Sequence, residues 1–234
     1  MAEAVAGERK VAVAFSGGLD SSMLARCARN HAGVVACTAF AKNSMDSTRA
    51  RESAEALGVE LVTTELTEKN VDGALAIIDL PFTPTLMDRS LWCLYSMVSR
   101  AAHDSGARVL LLGQLADELF GGYAKYAEAL KVKGEDAAES MMSADIHEYP
   151  GRGRVRDVGA CARWVEPRFP FESKELVDLA TSLPMSIKIR GGVRKAVLRR
   201  AAAILGVPEG EAEAAKKAAQ YSSGVQKLVA GSRF

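Results

Sequence analysis

The sequence predicts an α/β fold, with a parallel open sheet and a C-terminal helical lobe. Short apolar runs rich in β-formers alternate with amphipathic segments up to about residue 115, and helical patterns replace them beyond that point. Alternating strands and helices favour a parallel sheet with right-handed crossovers and helices on both faces. For 234 residues we expect one domain over 1–234, with an α/β core at about 9–125 and a mainly helical lobe at about 126–234.

The predicted strands are short and apolar, as buried parallel strands are. They cover residues 10–15, 34–40, 59–66 and 108–113. Pro81 and Pro84 interrupt the helical pattern of the core, since proline cannot sit inside a helix. The predicted helices are residues 21–30, 46–58, 68–79 and 88–106 in the core, and 116–131, 135–149, 173–183, 193–206 and 210–229 in the lobe.

Composition argues against several functional classes. The 30 basic and 29 acidic residues leave a formal net charge of +1, so nothing indicates binding to bulk nucleic acid. No apolar run approaches the roughly 20 residues of a membrane span, and the short polar start does not resemble a secretory signal. The four cysteines occur singly, which argues against zinc, iron–sulfur and thioredoxin-type sites and predicts small buried thiols in a cytoplasmic protein.

The first predicted strand runs into Ser-Gly-Gly-Leu-Asp-Ser-Ser at residues 16–22 and then into a helix. Glycine permits a positive φ and a close backbone approach, so successive N–H groups of such a turn can converge on an anion. The positive end of the helix adds to this attraction. Ser16, Ser21 and Ser22 add hydroxyl donors. The turn therefore predicts a phosphate cradle in preference to a solvated strand-to-helix connection.

Asp20 lies inside this cradle, where its carboxylate would repel phosphates. The carboxylate becomes favourable if Mg²⁺ lies between it and the phosphates. The Walker A spacing and its lysine are absent, so the site is not of the P-loop type. These residues predict a magnesium–nucleotide site of another class.

Several stretches resemble the synthetase domain of asparagine synthetase, a member of the N-type ATP pyrophosphatases. "SGGLDSS" is similar to their pyrophosphate-loop (PP-loop) motif, and "LGQLADELFGGY" resembles Gly-Glu-Gly-Ser-Asp-Glu-Leu-Phe-Gly-Gly-Tyr. "NSMDSTRARESAEALGVE", "VEPRFPFESKELVDLATSLP" and "KIRGGVRKAVLRRA" resemble three further segments of that domain. The likeness covers roughly residues 9–205 in the family's order, and separated motifs rarely coincide by accident. It implies the fold of the adenine nucleotide alpha hydrolases.

The resemblance implies that ATP is cleaved between its α and β phosphates to adenylate a substrate. ATP and Mg²⁺ are then the cofactors, with Asp20 and Asp117 as metal ligands and Lys195 as a catalytic lysine that stabilises the transition states. Glu118 is a further candidate catalytic residue beside Asp117. The implied nucleotide contacts are Ser16, Gly17, Gly18, Asp20, Ser21 and Ser22 on the pyrophosphate, and Phe40, Ala41, Leu112 and Gly113 along the adenosine.

Two other features each allow two interpretations. Glu166 and Arg168 form a charged pair that is either structural or part of the site. The tail "KKAAQYSSGVQK" at 216–227 looks like that of stand-alone archaeal and eukaryotic asparagine-synthetase-like proteins. This tail is either a cationic amphipathic helix or a functional basic strip.

The signature departs from the family at Gln114, where the family has a glutamate proposed to assist the attacking ammonia. A glutamine side chain donates and accepts hydrogen bonds but cannot take a proton. We therefore expect the first half-reaction, which forms an acyl adenylate and pyrophosphate, to be retained and the second half to be altered. Gln114→Glu is expected to improve ammonia-dependent amide formation if the missing base limits that half.

The start of the sequence also departs from glutamine-dependent asparagine synthetases, which begin with a glutaminase domain and an N-terminal cysteine. This sequence begins Met-Ala-Glu-Ala and reaches its first strand by residue 10. We therefore expect the nitrogen to come from free ammonia, from a separate ammonia-supplying subunit or from another amine. A homodimer is compatible with the sequence.

The sequence thus predicts an AMP-forming carbon–nitrogen ligase that joins a small-molecule carboxylate, aspartate by resemblance, to an amine. One alternative is an AMP-forming enzyme with a different substrate, such as an intramolecular amide closure or an RNA base, although no RNA-binding face is evident. The other is a non-catalytic ATP-binding regulator. Asp20, Asp117 and Lys195 favour an enzyme, and Gln114 favours the regulator.

Overall fold

A five-stranded parallel sheet lies at the centre of the protein. The computed structural model describes residues 1–42, 44, 46–208 and 223–232. The strands are β1 (Lys10–Ala14), β2 (Gly33–Ala41), β3 (Glu60–Leu66), β4 (Val109–Leu111) and β5 (Glu166–Arg168), and their spatial order is β3-β2-β1-β4-β5. The predicted α/β class with an open parallel sheet is confirmed. The direction of winding reverses between β1 and β4, which is where open α/β sheets bind ligands at their carboxyl edge.

Helices connect the strands and account for most of the rest of the described chain. They are α1 (Leu19–Ala28), α2 (Asp46–Leu57), α3 (Glu68–Leu75), α4 (Leu86–Asp104), α5 (Ala116–Phe120), α6 (Ala124–Lys133), α7 (Glu135–Glu148), α8 (Gly153–Cys161), α9 (Lys174–Ser182), α10 (Met185–Lys188), α11 (Ala196–Ile204) and α12 (Val225–Gly231). α2 ends where predicted, at Gly58, whose φ of +61° is a conformation that favours glycine. α4, the longest helix, begins with a capping box formed by Thr85 and Asp88.

The strands bury apolar side chains on both faces of the sheet. Val11 and Val13 of β1 belong to one apolar cluster with α1 and α11, whereas Ala12 belongs to a second cluster with α4, α8 and α12. This division follows from the alternation of side chains along a strand. A third, smaller cluster joins α6, α7 and α10 around the fully buried Tyr126. The site described below therefore rests on a rigid sheet covered on both sides.

The edge strand β5 corrects the prediction that strands end near residue 115. Glu166 N donates to the Arg108 carbonyl at 2.9 Å, and Leu112 N donates to the Arg168 carbonyl at 3.0 Å. The segment Glu-Pro-Arg carries no β-forming pattern, so pairing with β4 sets its extended shape. Pro167 is tolerated because an edge strand leaves one side unpaired.

The helical predictions of the second half need two further corrections, and one of these predictions lies largely outside the described residues. The segment 116–131 is divided at Gly121, whose φ of +71° ends α5. The helices α8 and α10 were not predicted. Of the predicted helix 210–229, residues 210–222 lie outside the described residues, as does most of the tail 216–227, whereas α12 packs on α3 and α4.

The cysteines and helix lengths bear on two predictions made from composition. Cys37, Cys93 and Cys161 are buried and Cys27 is half-buried, and all four are free thiols. Burial raises the pKa of Cys37 and of Cys93 to about 12, so these thiols stay protonated and unreactive at neutral pH. None of the helices in the described ranges is long and apolar enough to cross a membrane.

Candidate active site

The loop between β1 and α1 is shaped by Gly17, whose φ is +66°. A Cβ atom here would lie 2.9 Å from the Arg49 carbonyl oxygen and 2.9 Å from Ser53 Oγ, so a side chain does not fit. Arg49 Nε and Ser53 Oγ donate to the Gly17 carbonyl at 3.0 and 3.2 Å. These donors belong to α2, and they hold the carbonyl on that helix, where it cannot repel an anion bound in the loop.

The serines of this loop take different positions. Ser16 N donates to Ser21 Oγ at 3.3 Å, and Ser21 Oγ donates to the Gly18 carbonyl at 3.1 Å. Ser16 and Ser21 line a cavity, together with Asp20. Ser22 is fully buried, and its hydroxyl has no hydrogen-bond partner among the described residues. The loop thus presents two of its three predicted hydroxyl groups to the cavity.

The loop between β4 and α5 meets the first loop at the point where the sheet reverses. Gly113 packs on Asp20, because a Cβ at Gly113 would lie 3.2 Å from the Asp20 Cβ. Leu115 has a φ of +70°, which is uncommon for a residue with a side chain. This strained turn starts α5 and places Asp117, in its first turn, beside the first loop.

Lys195 is the cation that joins these two loops. Its Nζ lies 2.6 Å from both carboxylate oxygens of Asp20 and 2.8 Å from Oδ1 of Asp117. The side chain is only 5% exposed, and its backbone has a φ of +55° at the start of α11. We call Asp20, Asp117 and Lys195 the carboxylate–lysine centre. The structure brings these three predicted site residues into direct contact.

The surroundings of the carboxylate–lysine centre are tightly packed. Burial lowers the pKa of Lys195, and the carboxylate of Asp20 opposes this shift. A Cβ atom at Gly122 would lie 1.8 Å from Asp117 Oδ1 and 2.4 Å from Lys195 Cε. Gly122 is therefore required for the close approach of the lysine to Asp117.

A cavity of about 570 Å³ lies at the carboxyl ends of β1, β2 and β4 and is bordered by Asp20 and Asp117. Part of its wall is apolar, and α4 and the ends of β1 and β2 provide that part. The residues of this wall are Ala14, Phe15, Cys37, Thr38, Ala39, Leu91, Leu94 and Val98. The remaining lining carries charged groups of both signs, including Glu118, Lys125, Asp145, Glu148, Arg152 and Arg156. The cavity can therefore take a flat apolar ring at one side and charged groups elsewhere.

Only some of the residues predicted to lie along the adenosine line the cavity. Gly113 lines it, but Phe40 and Leu112 do not. Leu112 is fully buried and its N–H is used in the sheet. Ala41 N donates to the Ser223 carbonyl at 2.8 Å, and Ser223 itself borders the cavity. The wall is thus formed by the three residues of β2 that directly precede Phe40, and by the face of α4.

Gln114 lines the same cavity, and hydrogen bonds to neighbouring side chains fix its amide group. Its amide nitrogen donates to the Tyr95 hydroxyl at 3.0 Å and to the Asp157 carboxylate. Asp157 also accepts from Arg156 Nε at 2.8 Å, and Arg156 NH1 donates to Asp88 at 3.2 Å. Asp88, Arg156 and Asp157 are all buried. We call this set, with Arg152, which also donates to Asp88, the Gln114 network.

The ionisable groups of the Gln114 network have shifted pKa values. Burial raises the pKa of Asp157, against the nearby guanidinium of Arg156. Burial also acts to raise the pKa of Asp88, but hydrogen bonds from Thr85, Arg152 and Arg156 hold it below its ordinary value. Burial and the carboxylate of Asp157 raise the pKa of Tyr95, so this phenol stays protonated.

Glu118, the further candidate catalytic residue, borders the cavity next to the carboxylate–lysine centre. Tyr123 OH donates to Glu118 Oε1 at 2.7 Å. Burial raises the pKa of Glu118, while the Tyr123 hydroxyl and the ammonium of Lys195 oppose the rise. The carboxylate is therefore close enough to the centre to add to its negative charge.

Glu166 and Arg168 form the predicted ion pair, with Nε–Oε1 and NH2–Oε2 distances of 2.8 and 3.1 Å. The pair does not line the cavity. Arg168 NH1 also donates to the carbonyls of Ala4 and Ala6 at 3.2 Å each. The observed role of the pair is structural, because it ties the first residues of the chain to β5.

The donor set of the centre fits a small divalent cation. Over the described residues, no group of three or more His, Cys, Asp or Glu side chains has the arrangement of a protein-only metal site. Mg²⁺, however, usually binds one or two carboxylates and completes its shell with phosphate oxygens and water. Asp20 and Asp117 already share one cation, the Lys195 ammonium, so their carboxylates converge on one region.

Prediction from the sequence missed the Gln114 network except Gln114 itself. Tyr95 lies at helical spacing from the apolar residues Leu91 and Val98, a pattern that gives no sign of a polar role, and Asp157 and Arg156 lie in a helix that was not predicted. One signal was available: Asp88 follows Thr85 by three residues, the spacing of a capping box. The burial of that aspartate, and its link to α8, depend on the packing of α4 on α8.

Comparison with known proteins finds similar sequences over most of the chain. The family model for asparagine synthase matches residues 1–149 and 130–232. A protein named "Putative asparagine synthetase (glutamine-hydrolyzing) 1" from Methanocaldococcus jannaschii is 30% identical over 96% of this chain and 48% of its own length. Asparagine synthetase domain-containing protein 1 of Mus musculus is 29% identical over 62% of this chain and 26% of its own length.

Another curated synthetase and one solved structure are also similar to the chain. Asparagine synthetase (glutamine-hydrolyzing) 1 of Arabidopsis thaliana is 30% identical over 81% of this chain and 35% of its own length. The chain thus spans between about a quarter and a half of the curated relatives named here. Among solved structures, NMN synthetase from Francisella tularensis matches with a TM-score of 0.49 and 12% identity, over 97% of this chain and 79% of that one.

Proposed function

Because the chain belongs to the asparagine synthase family, we propose that it is an ATP-dependent, AMP-forming carbon–nitrogen ligase. It would adenylate a small-molecule carboxylate and transfer the acyl group to an amine or to ammonia. The observation that carries the proposal is the carboxylate–lysine centre at the sheet reversal, with Lys195 Nζ 2.6 Å from Asp20 and 2.8 Å from Asp117. A buried cation between two carboxylates at the mouth of an anion-binding loop suits the transfer of an adenylyl group, in which negative charge develops on the departing pyrophosphate.

The loop after β1 would hold the β and γ phosphates. Ser16 and Ser21 border the cavity, the hydroxyl of Ser16 offers a donor, and the N-terminus of α1 offers backbone N–H groups. Gly17 keeps its carbonyl on α2, which removes a repulsive oxygen from the anion. These features favour binding of pyrophosphate over that of a single carboxylate.

Asp20 and Asp117 would hold Mg²⁺ together with phosphate oxygens. When bound, the metal would supply positive charge that offsets the charge on the departing pyrophosphate. Lys195 would stay close to the α phosphate, because its backbone position and Gly122 confine the side chain to this region. Its fixed ammonium would stabilise the pentavalent transition state as the carboxylate oxygen attacks the α phosphorus and pyrophosphate departs.

The apolar wall of the cavity would take the adenine ring. Phe15, Thr38 and Ala39 border it from the strand ends, and Leu91 and Leu94 border it from α4. This arrangement places the base over the sheet edge, with its phosphates directed to the loop after β1. The base site is therefore proposed here and not at Phe40 and Leu112.

The carboxylate substrate would lie in the charged part of the cavity. The family suggests aspartate, with free ammonia or ammonia from a separate subunit as the nitrogen source. Both arginines and carboxylates border this part, so an acid that also carries an amino group matches its charges. We expect a cytoplasmic protein, in line with the four free cysteines.

Isotope exchange between labelled pyrophosphate and ATP tests the proposal. The exchange should appear only when a suitable carboxylic acid is added, because only then does the acyl adenylate form reversibly. A panel of amino and dicarboxylic acids, with aspartate first, would identify the substrate. A protein that binds ATP and Mg²⁺ but catalyses no exchange with any acid of the panel would be a regulator, and the proposed function would be wrong.

A second enzymatic function is favoured by one observation, the presence of an amide at Gln114 within the cavity. The same adenylation could serve an internal amide closure, in which the amine belongs to the same molecule as the carboxylate. Mass spectrometry of the exchange-positive acid, incubated with ATP and no added amine, separates the two. Loss of one water from the acid would indicate closure, whereas a product only with ammonia would indicate an intermolecular ligase.

A further inference from the structure

The side-chain amide of Gln114 has one orientation that its neighbours allow. Arg156 Nε donates to one oxygen of Asp157 at 2.8 Å, and its guanidinium favours the ionised carboxylate, whose other oxygen accepts from the amide nitrogen of Gln114. The same nitrogen lies 3.0 Å from the Tyr95 hydroxyl. An amide NH₂ has two hydrogens, and these two contacts use both. What remains of the amide for a ligand is the carbonyl oxygen Oε1, a pure acceptor.

The groups behind Gln114 fix this arrangement by charge. Asp157 and Asp88 each carry one carboxylate, and Arg156 and Arg152 each carry one guanidinium, so the two negative charges equal the two positive ones. Arg156 donates to both aspartates, at 2.8 Å to Asp157 and 3.2 Å to Asp88. A neutral amide at position 114 preserves this balance, whereas a glutamate would bring a third carboxylate against Asp157.

We propose that Asp157 and Tyr95 are positioning residues for Gln114. They hold both of its amide hydrogens and turn its carbonyl oxygen toward the cavity, where it accepts a hydrogen bond from an N–H of the attacking amine. This inference rests on the proposed function and names the role of the amide in its second half. The group that selects the nucleophile is an acceptor, so a substrate with an N–H donor is bound in preference to one without it.

The chemical step remains balanced without a protein base at position 114. The amine nitrogen forms a bond to the acyl carbon, the carbon–oxygen bond to the phosphate breaks, and AMP leaves with the electron pair. The proton of the new ammonium passes to solvent, since an amide oxygen does not take it. Gln114 therefore orients the nitrogen lone pair, and the reaction proceeds with amines that are neutral when they arrive.

The structure changes the expectation for Gln114→Glu. A carboxylate at position 114 would lie in hydrogen-bond contact with Asp157, and two carboxylates in that position must share a proton. The single substitution is thus expected to destabilise the protein and to leave amide formation unimproved. A carboxylate can face the cavity only if residue 157 becomes a donor.

The test compares Asp157→Asn, Gln114→Glu and the double variant. In Asp157→Asn, Arg156 Nε still donates to the side-chain oxygen of residue 157, so the new amide nitrogen faces Gln114. Two facing NH₂ groups repel, and the Gln114 amide therefore rotates so that its oxygen faces residue 157. The cavity then meets an NH₂ donor, and the KM for the amine should rise about tenfold, the loss expected for one hydrogen bond turned repulsive. Acid-dependent pyrophosphate exchange should stay within about threefold of wild type, since the first half-reaction does not use residue 157.

The double variant Gln114→Glu with Asp157→Asn exchanges the two groups. The asparagine can accept from Arg156 and donate to the glutamate, whose second oxygen again offers an acceptor to the cavity. The KM for the amine should return to within about threefold of wild type, and the midpoint of thermal unfolding should exceed that of Gln114→Glu alone. The control is Asp178→Asn, an exposed carboxylate that is paired with Lys174 and does not line the cavity, and it should change neither quantity.

Each outcome decides one of the two proposals. An unchanged KM for the amine in Asp157→Asn, with exchange retained, overturns the positioning role. A double variant whose KM for the amine is no lower than that of the single variants also overturns the positioning role. If wild type shows no exchange with any acid, the proposed function is wrong, and additive unfolding midpoints in the three variants would then overturn the pairing of residues 114 and 157 independently.

Discussion

The carboxylate–lysine centre and the Gln114 network border the same cavity, but their charges are arranged differently. In the centre, the carboxylates of Asp20 and Asp117 converge on the same lysine at the edge of the cavity. In the network, Asp88 and Asp157 pair with two arginines, so the charges of these four groups cancel. Carboxylates that converge at a cavity can share a further cation, whereas a charge-balanced network acts by directing hydrogen bonds. The first arrangement suits a metal–phosphate complex and the second suits recognition of a neutral amine.

The largest effect on activity is expected when a carboxylate is removed from the carboxylate–lysine centre. Asp20→Ala should abolish acid-dependent pyrophosphate exchange, by at least about 100-fold, because it removes a proposed metal ligand and one partner of Lys195. The measurement is the exchange rate at saturating ATP, acid and Mg²⁺. Asp104→Asn, at an exposed surface carboxylate, is the control and should keep the wild-type rate. Exchange retained in Asp20→Ala would contradict the assignment of the centre.

Removing the lysine tests whether the two carboxylates of the centre can share a metal. Lys195→Met removes the ammonium that Asp20 and Asp117 share and should lower the free energy of unfolding by about 3 to 5 kcal/mol. Because a divalent cation could then neutralise them, Mg²⁺ without nucleotide should raise the unfolding midpoint more in the variant than in wild type. Thermal unfolding with and without Mg²⁺ measures this. An equal Mg²⁺ response in both proteins would show that the carboxylates do not form a common cation site.

The contribution of the Gln114 network to the free energy of unfolding should depend on pH in the acidic range. The folded pKa of Asp88 is held below its ordinary value, so ionisation of Asp88 stabilises the fold above an unfolded pKa of about 3.9, and that contribution is lost as the pH falls through the folded pKa. Asp88→Asn should cost about 2 to 3 kcal/mol at pH 7, and this difference from wild type should shrink below about pH 4. Unfolding midpoints between neutral and acidic pH provide the measurement. A constant difference across that range would contradict the ionised state assigned to Asp88.

The mildest test concerns the packing behind the centre. Gly122→Ala puts a methyl group where Asp117 and Lys195 now lie, so both must move, at a cost of about 1 to 3 kcal/mol. Gly73→Ala is the matched control, because nothing lies within 4 Å of a Cβ there, and a helical glycine replaced by alanine should be neutral or slightly stabilising. Both are followed by thermal unfolding and exchange rate. Equal behaviour of the two variants would mean that the centre tolerates displacement.

Local sequence determined the first loop and the first four strands along the chain, and separated motifs indicated the family. The glycines and serines of residues 16–22 predict an anion cradle because their backbone freedom and hydroxyl groups act within one turn. Apolar runs and helical periodicity likewise depend on neighbours only a few residues apart. The sequence by itself therefore predicts these features, and its resemblance to a known family nominates Asp117 and Lys195.

The tertiary structure alone decided which distant groups meet. β5 is extended because β4 offers it hydrogen bonds, and the apolar wall arose where α4 crosses the ends of β1 and β2. The orientation of Gln114 follows from Tyr95 and Asp157, which come from α4 and α8. The sequence does not record in which direction the side-chain amide of a glutamine is oriented. Charge balance and hydrogen-bond direction are properties of residues in contact, and those contacts are set by the packing of helices on the sheet.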